Sequence, residues 1–218
     1  MIVPIDKPRG WTSFDVIRKV RSISGEKKVG HAGTLDPFAE GILVVGIGRH
    51  STKQLRDLSL QEKEYEASLR LGIETDTLDP EGRIVAKKAI PELTENKIIE
   101  VFRVLTGFIE QTPPMYSAKK INGIRLYQLA RQNIEVKRDP VRVEIKSLTL
   151  KSYSRDTIDF VVSCSKGTYI RQLGADIAHA LGTVGHLISL KRVRVENFTL
   201  EDCKSLEELS ESWLSITA

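Results

Sequence analysis

The spacing of apolar positions changes several times along the chain, and each period names an element. From 13 to 24, Phe14, Ile17 and Val20 fall at helical spacing, with Ser13 placed to cap the start and Gly25 to end it; this predicts a helix. Residues 26–41 keep no period and hold Gly30, Gly33 and Gly41, which predicts a loop. Ile42 to Ile47 is a short continuous apolar run, the pattern of a buried strand. Tyr65, Ala67, Leu69 and Leu71 alternate with Glu66, Ser68 and Arg70, as in a strand buried on one face. Asp79-Pro80-Glu81-Gly82 reads as a turn. Thr94 opens a second helix with Ile98, Phe102 and Leu105 on one face. The stretch 112–140 starts Pro-rich and stays basic, which predicts a loop carrying a short helix around 123–131. Val141, Val143 and Ile145 alternate, then the phase flips to Leu148 and Leu150, the signature of a bulge; Ile158, Phe160, Val162 and Cys164 return as the second strand of a hairpin. Ile170, Leu173, Ile177 and Leu181 mark a helix closed by Gly182, and a last helix is predicted over 205–213. Strands and helices interleave irregularly, with hairpins, so the expected class is α+β around a mixed, largely antiparallel sheet.

Composition narrows the function. No apolar run reaches the ~18 residues of a membrane span, and the N-terminus lacks the basic-then-apolar order of a secretory signal. The two cysteines, Cys164 and Cys203, lie far apart in no metal or redox spacing, which fits free thiols in a reducing cytoplasm. Charge is uneven. Residues 119–155 hold ten bases against three acids, while residues 200–218 hold five acids and one base. The basic segment would attract a polyanion such as RNA, although a solvated face reads the same way.

The candidate chemistry is sparse. In Gly30-His31-Ala32-Gly33-Thr34-Leu35-Asp36-Pro37, glycines allow close backbone approach and Pro37 stiffens Asp36. A stiff loop aspartate suits a nucleophile; it also suits any Asp-Pro turn. Ser163 to Arg171 crosses from a strand end through Gly167 into a helix start. Arg171 sits in the first turn, where the helix dipole disfavours a cation, so it needs an anion: a carboxylate such as Asp36, or an RNA phosphate. The histidines are scattered, no metal spacing occurs, and neither a phosphate-binding loop nor a dinucleotide fingerprint is present. From the residues alone the chain reads as an RNA-binding protein with a carboxylate site.

Five ordered motifs then carry a resemblance over nearly the whole chain. They are Lys7-Pro8-Arg9-Gly10-Trp11-Thr12-Ser13, Gly30 to Leu43, Lys63-Glu64-Tyr65 with Thr75-Asp76-Thr77-Leu78-Asp79, Gln111 to Lys119 with Tyr127 to Arg131, and Cys164 to Arg171. The chain resembles the TruB family of tRNA pseudouridine synthases. The resemblance implies an isomerase that converts uridine-55 in the T-loop of tRNA by base flipping, without cofactor or metal. It implies Asp36 as nucleophile, Tyr65 stacked on the uracil and helping remove the C5 proton, and Arg171 paired with Asp36. His31 would lie against the tRNA where bases leave the stack, and Leu190 would wall the uracil pocket. Tyr169, Lys7, Lys119 and Arg131 complete the implied substrate-binding set. The expected organisation is a catalytic domain over 1–199, with an RNA-gripping thumb at about 112–140, then an acidic helix and tail over 200–218 and no full PUA-type domain. Expected partners are the tRNA T-arm alone, without guide RNA or membrane, and the expected state is a cytoplasmic monomer. A tRNA chaperone acting without catalysis is the alternative; the presence of Asp36, Tyr65 and Arg171 together favours the enzyme.

Overall fold

The computed structural model describes residues 1–217. In chain order the elements are β1 (Ile2–Lys7), α1 (Ser13–Ser24), β2 (Val29–His31), β3 (Glu40–Ile47), α2 (Arg49–Leu60), β4 (Lys63–Leu71), β5 (Ile73–Thr75), β6 (Ile84–Lys87) and α3 (Glu95–Val104). They continue with β7 (Gly107–Gln111), β8 (Lys120–Ile121), β9 (Ile124–Arg125), α4 (Leu126–Ala130), β10 (Val141–Tyr153), β11 (Thr157–Cys164), α5 (Ile170–Ala180), β12 (Gly185–Val195), β13 (Phe198–Thr199) and α6 (Leu206–Thr217). The class is α+β with mixed, largely antiparallel pairing. Among the described residues no helix is long and apolar enough to cross a membrane. The described residues divide into two compact units, residues 1–66 with the segment from 190 onward and residues 67–189, the boundaries falling inside β4 and β12.

In the first unit β3 is the hub. It pairs antiparallel with β1 and β2 and parallel with β12 at Glu40 and Gly41. With neighbours on both edges and helices over its faces, Gly41 to Ile47 are all buried, which is why they read as one apolar run. The pleat sends Leu43, Val45 and Ile47 against Val16, Ile17 and Val20 of α1 and Leu206 and Leu209 of α6. Ile42 and Val44 turn the other way, onto Ala32, Leu55 and Val195. The cap of α1 differs from expectation: Thr12 is the N-cap, in a capping box with Asp15, and Ser13 is buried inside the first turn. Phe14 is 57% exposed rather than on the core face.

In the second unit β4, β11, β10 and β7 lie in that order. The phase flip in β10 is a register shift between Ile145 and Ser147, with a second after Leu150. Thr94 caps α3, whose Phe102 meets Phe160 of β11 edge-on at 5.9 Å. The basic segment contains a hairpin, β8–β9, turned by Asn122 and Gly123 at φ of 50° and 82°. Two left-handed residues are what a tight two-residue turn requires, and Asn-Gly provides them at least steric cost.

Candidate active site

The stretch from β2 to β3 is held from several sides. Ala32 N–H donates to Val44 at 2.9 Å, Gly10 N–H to Pro37 at 2.8 Å, and Ala39 N–H closes a turn onto Asp36 at 3.1 Å. The buried Ser13 hydroxyl donates to the Leu35 carbonyl at 3.0 Å and accepts the Leu35 N–H at 2.9 Å. Leu35 and Phe38 are buried on either side of Asp36, which is half-buried. The carboxylate thus stands on a peptide that has little freedom to move, and such preorganisation is what a nucleophile gains from a scaffold. Lys7 lies underneath. It is fully buried, and its ammonium donates to the carbonyls of Trp11 at 2.6 Å and Pro8 at 3.0 Å, with Pro37 at 3.5 Å. That is the geometry of a brace, and an RNA phosphate reaching this ammonium would have to displace those carbonyls.

Tyr65 is 7% exposed, on the buried face of β4. The guanidinium of Arg192, itself 1% exposed, lies 6.0 Å from its ring centroid. Arg192 also donates through Nε to Ile42 at 2.6 Å and through a terminal nitrogen to Gly33 at 3.2 Å. One buried cation therefore ties the Asp36 loop, β3 and the Tyr65 ring together. Gly41 has φ +95°, and a Cβ there would collide with the Arg192 carbonyl, so this junction requires glycine. His31, at the start of the loop, has its pKa lowered by burial first and by Arg192 second, against a backbone hydrogen bond at Gly33 that raises it, and its Nδ1 is buried. Leu190 is buried in the same unit.

The second unit holds Arg171, Tyr169, Lys119 and Arg131. Arg171, 4% exposed in the first turn of α5, donates to the carbonyls of Thr77 and, at 2.7 Å, Tyr116, and pairs with Asp79 at 3.3 Å. Asp79 is buried as well, and accepts from the Thr77 hydroxyl at 2.5 Å and the Glu81 N–H at 3.0 Å. Within this unit Asp79 gives Arg171 one anion, on a turn that holds Leu78 at φ +60°. The backbone of Tyr169 is gripped by the buried Gln111 amide, which accepts its N–H at 3.0 Å and donates to its carbonyl at 3.3 Å. Lys119 is half-buried, and Arg131 is exposed with its guanidinium 5.5 Å from the Tyr127 ring.

Residues 21–170 match the N-terminal domain of the TruB family of pseudouridylate synthases, and residues 171–217 match the tRNA pseudouridylate synthase B C-terminal domain. The chain belongs to the TruB family. It is 46% identical to the tRNA pseudouridine synthase B of Protochlamydia amoebophila over 95% of this chain and 79% of that one. It is 43% identical to the protein of the same name from Thermobifida fusca, over 96% of this chain and 74% of the other. Among solved structures, a Cbf5-Nop10-Gar1 complex aligns with a TM-score of 0.77 at 28% identity, covering 99% of this chain and 55% of that chain.

Two buried charged residues, one in each unit, escape a reading of the sequence. Arg192 lies in Leu190-Lys191-Arg192-Val193-Arg194, where nothing separates an inward arginine from its exposed neighbours. Asp79 stands in a peptide whose Pro80 and Gly82 announce a turn and hide the role of its carboxylate. The one available signal was the first-turn arginine at 171, which demanded an acid without saying which.

Proposed function

We propose that this TruB-family enzyme converts uridine-55 in the T-loop of tRNA to pseudouridine, with Asp36 as the nucleophile. The observation that carries the reading is the half-buried Asp36 on a peptide clamped by Ser13 and packed by Leu35 and Phe38. A uracil inside a folded T-loop is out of reach, so the nucleotide must leave the stack and be held by ring contacts. Tyr65, fixed by Arg192, is the aromatic surface suited to that, and its hydroxyl is suited to helping take the C5 proton. The bond from N1 to the ribose C1′ breaks, the uracil turns, C5 bonds to C1′ and loses its proton, and N1 takes up a proton. Atoms balance without cofactor, oxidant or reductant. Arg171, held by Asp79 and two carbonyls, keeps the catalytic role that the family resemblance implies for it. The exposed bases of 112–140, Arg131 among them, are suited to gripping the backbone without reading sequence. We further read the enzyme as a cytoplasmic monomer that acts on tRNA without a guide RNA.

The test is tritium release from tRNA transcript labelled at uridine C5. Wild type should release label. Asp36→Asn should show no multiple turnover, a loss on the order of 10⁴-fold or more, while its tRNA affinity stays within about twofold because phosphate contacts dominate binding. Turnover by Asp36→Asn at a rate near wild type would sink the assignment.

A further inference from the structure

The unit that carries Asp36 contains a concavity of about 540 Å³, formed by the end of α1, the following loop, β2 and α2. Its walls include Arg21, Lys27, Lys28, Arg56 and His31, and no carboxylate. Lys27, Lys28 and Arg56 are exposed. Arg21 is fixed, donating to the Val29 carbonyl at 3.3 Å and lying over the Phe14 ring at 5.9 Å. Its Nε is nevertheless buried without a hydrogen-bond partner. Gly30 lets α2 pack directly on β2: a Cβ there would lie 3.3 Å from Leu55.

These observations point one way. Four cations around one cleft repel each other, and no carboxylate among its walls offsets them. An anion in the cleft does. No Phe, Tyr or Trp lines it, and the His31 imidazole is its one ring. His31 is both a wall of this cleft and the first residue of the stretch that reaches Asp36.

We propose that this cleft is a phosphodiester site that takes a backbone phosphate of the RNA strand whose target nucleotide reaches the Asp36 loop. The proposal rests on the tRNA reading above and adds to it a positioning interaction outside the thumb. Lysines and arginines that meet a phosphate carry no sequence information; they set where the strand lies, and so where the flipped nucleotide emerges relative to His31.

The test uses Lys27→Ala/Lys28→Ala/Arg56→Ala in the full chain, with T-arm stem-loop RNA across a salt series. Dissociation constants should weaken at least tenfold near physiological salt. The slope of log affinity against log salt should become shallower by about one for each phosphate that the variant no longer neutralises. The effect should fall on Kd and kcat/KM rather than on the single-turnover rate at saturating RNA. Unchanged affinity and slope overturn the proposal. A second measurement is independent of turnover: inorganic phosphate titrated into wild type should shift the Arg21 side-chain Nε–H resonance, and the triple variant should not respond. No shift in wild type overturns the anion site. A shift with unchanged RNA binding overturns the backbone assignment in favour of a small anion. Wild type that shows the phosphate response yet makes no pseudouridine would sink the enzymatic reading while leaving the anion site standing.

Discussion

The Asp36 loop and the basic segment 112–140 are built on opposite principles. Over residues 32–39, four of eight residues are buried, and a serine hydroxyl, a lysine ammonium and an arginine guanidinium hold the backbone carbonyls. Over 112–140 only five of 29 residues are buried, and its hairpin and α4 are two and five residues per element. On the function proposed above, the Asp36 carboxylate depends on sub-ångström placement, which a cross-tied loop supplies. A grip on an RNA backbone, the role proposed for 112–140, depends on charge and reach, which a lightly packed, cationic segment supplies.

The largest effect is expected at the tie itself. Arg192→Leu removes the guanidinium that joins Gly33, Ile42 and Tyr65, leaving buried carbonyls unpaired. Stability to denaturant should fall by about 2–3 kcal/mol, the cost of losing charge-assisted bonds in a buried site, and turnover should fall further than that. A variant as stable and as active as wild type would break the contrast between the two regions.

A smaller effect sharpens the contrast through pH. Burial, and then Arg192, hold the His31 imidazole below its ordinary value of 6.5, so the folded protein favours the neutral ring. Above that value both folded and unfolded states carry it neutral, and His31 contributes no pH dependence. As pH falls through 6.5 the unfolded chain takes the proton first, so stability declines until the folded value is passed. Denaturation midpoints at about pH 7.5 and about pH 5.5 should therefore differ more in wild type than in His31→Gln. Segment 112–140 contains no histidine, so its contribution to RNA binding should not follow this profile.

Much of this contrast is legible in the amino-acid sequence. The unpatterned stretch after α1, the Asp-Pro pair and the ten bases of 119–155 marked out the two regions, and the resemblance assigned them. What was hidden shares a cause: side chains acting against their type. Ser13 looks like a cap but spends its hydroxyl on Leu35, so Thr12 caps instead. Lys7 and Arg192 look like surface cations but are fully buried, satisfied by backbone carbonyls. Helix α2 buries only Ser51 and Leu55, too few apolar positions to show a helical stripe. The Asn122-Gly123 turn was present in the letters, yet its strands are two residues each, too short to show alternation.

The central claim is that placement and grip are separate devices. It is tested most directly by measuring tRNA dissociation constant and single-turnover rate at saturating RNA for Ser13→Ala and for Lys119→Glu/Arg131→Glu. Ser13→Ala frees both polar groups of Leu35 and should slow the saturated rate at least tenfold with affinity within about twofold. The charge reversals should weaken affinity at least tenfold and flatten its salt dependence, with the saturated rate within about twofold. Parallel losses of rate and affinity in both variants would contradict the account.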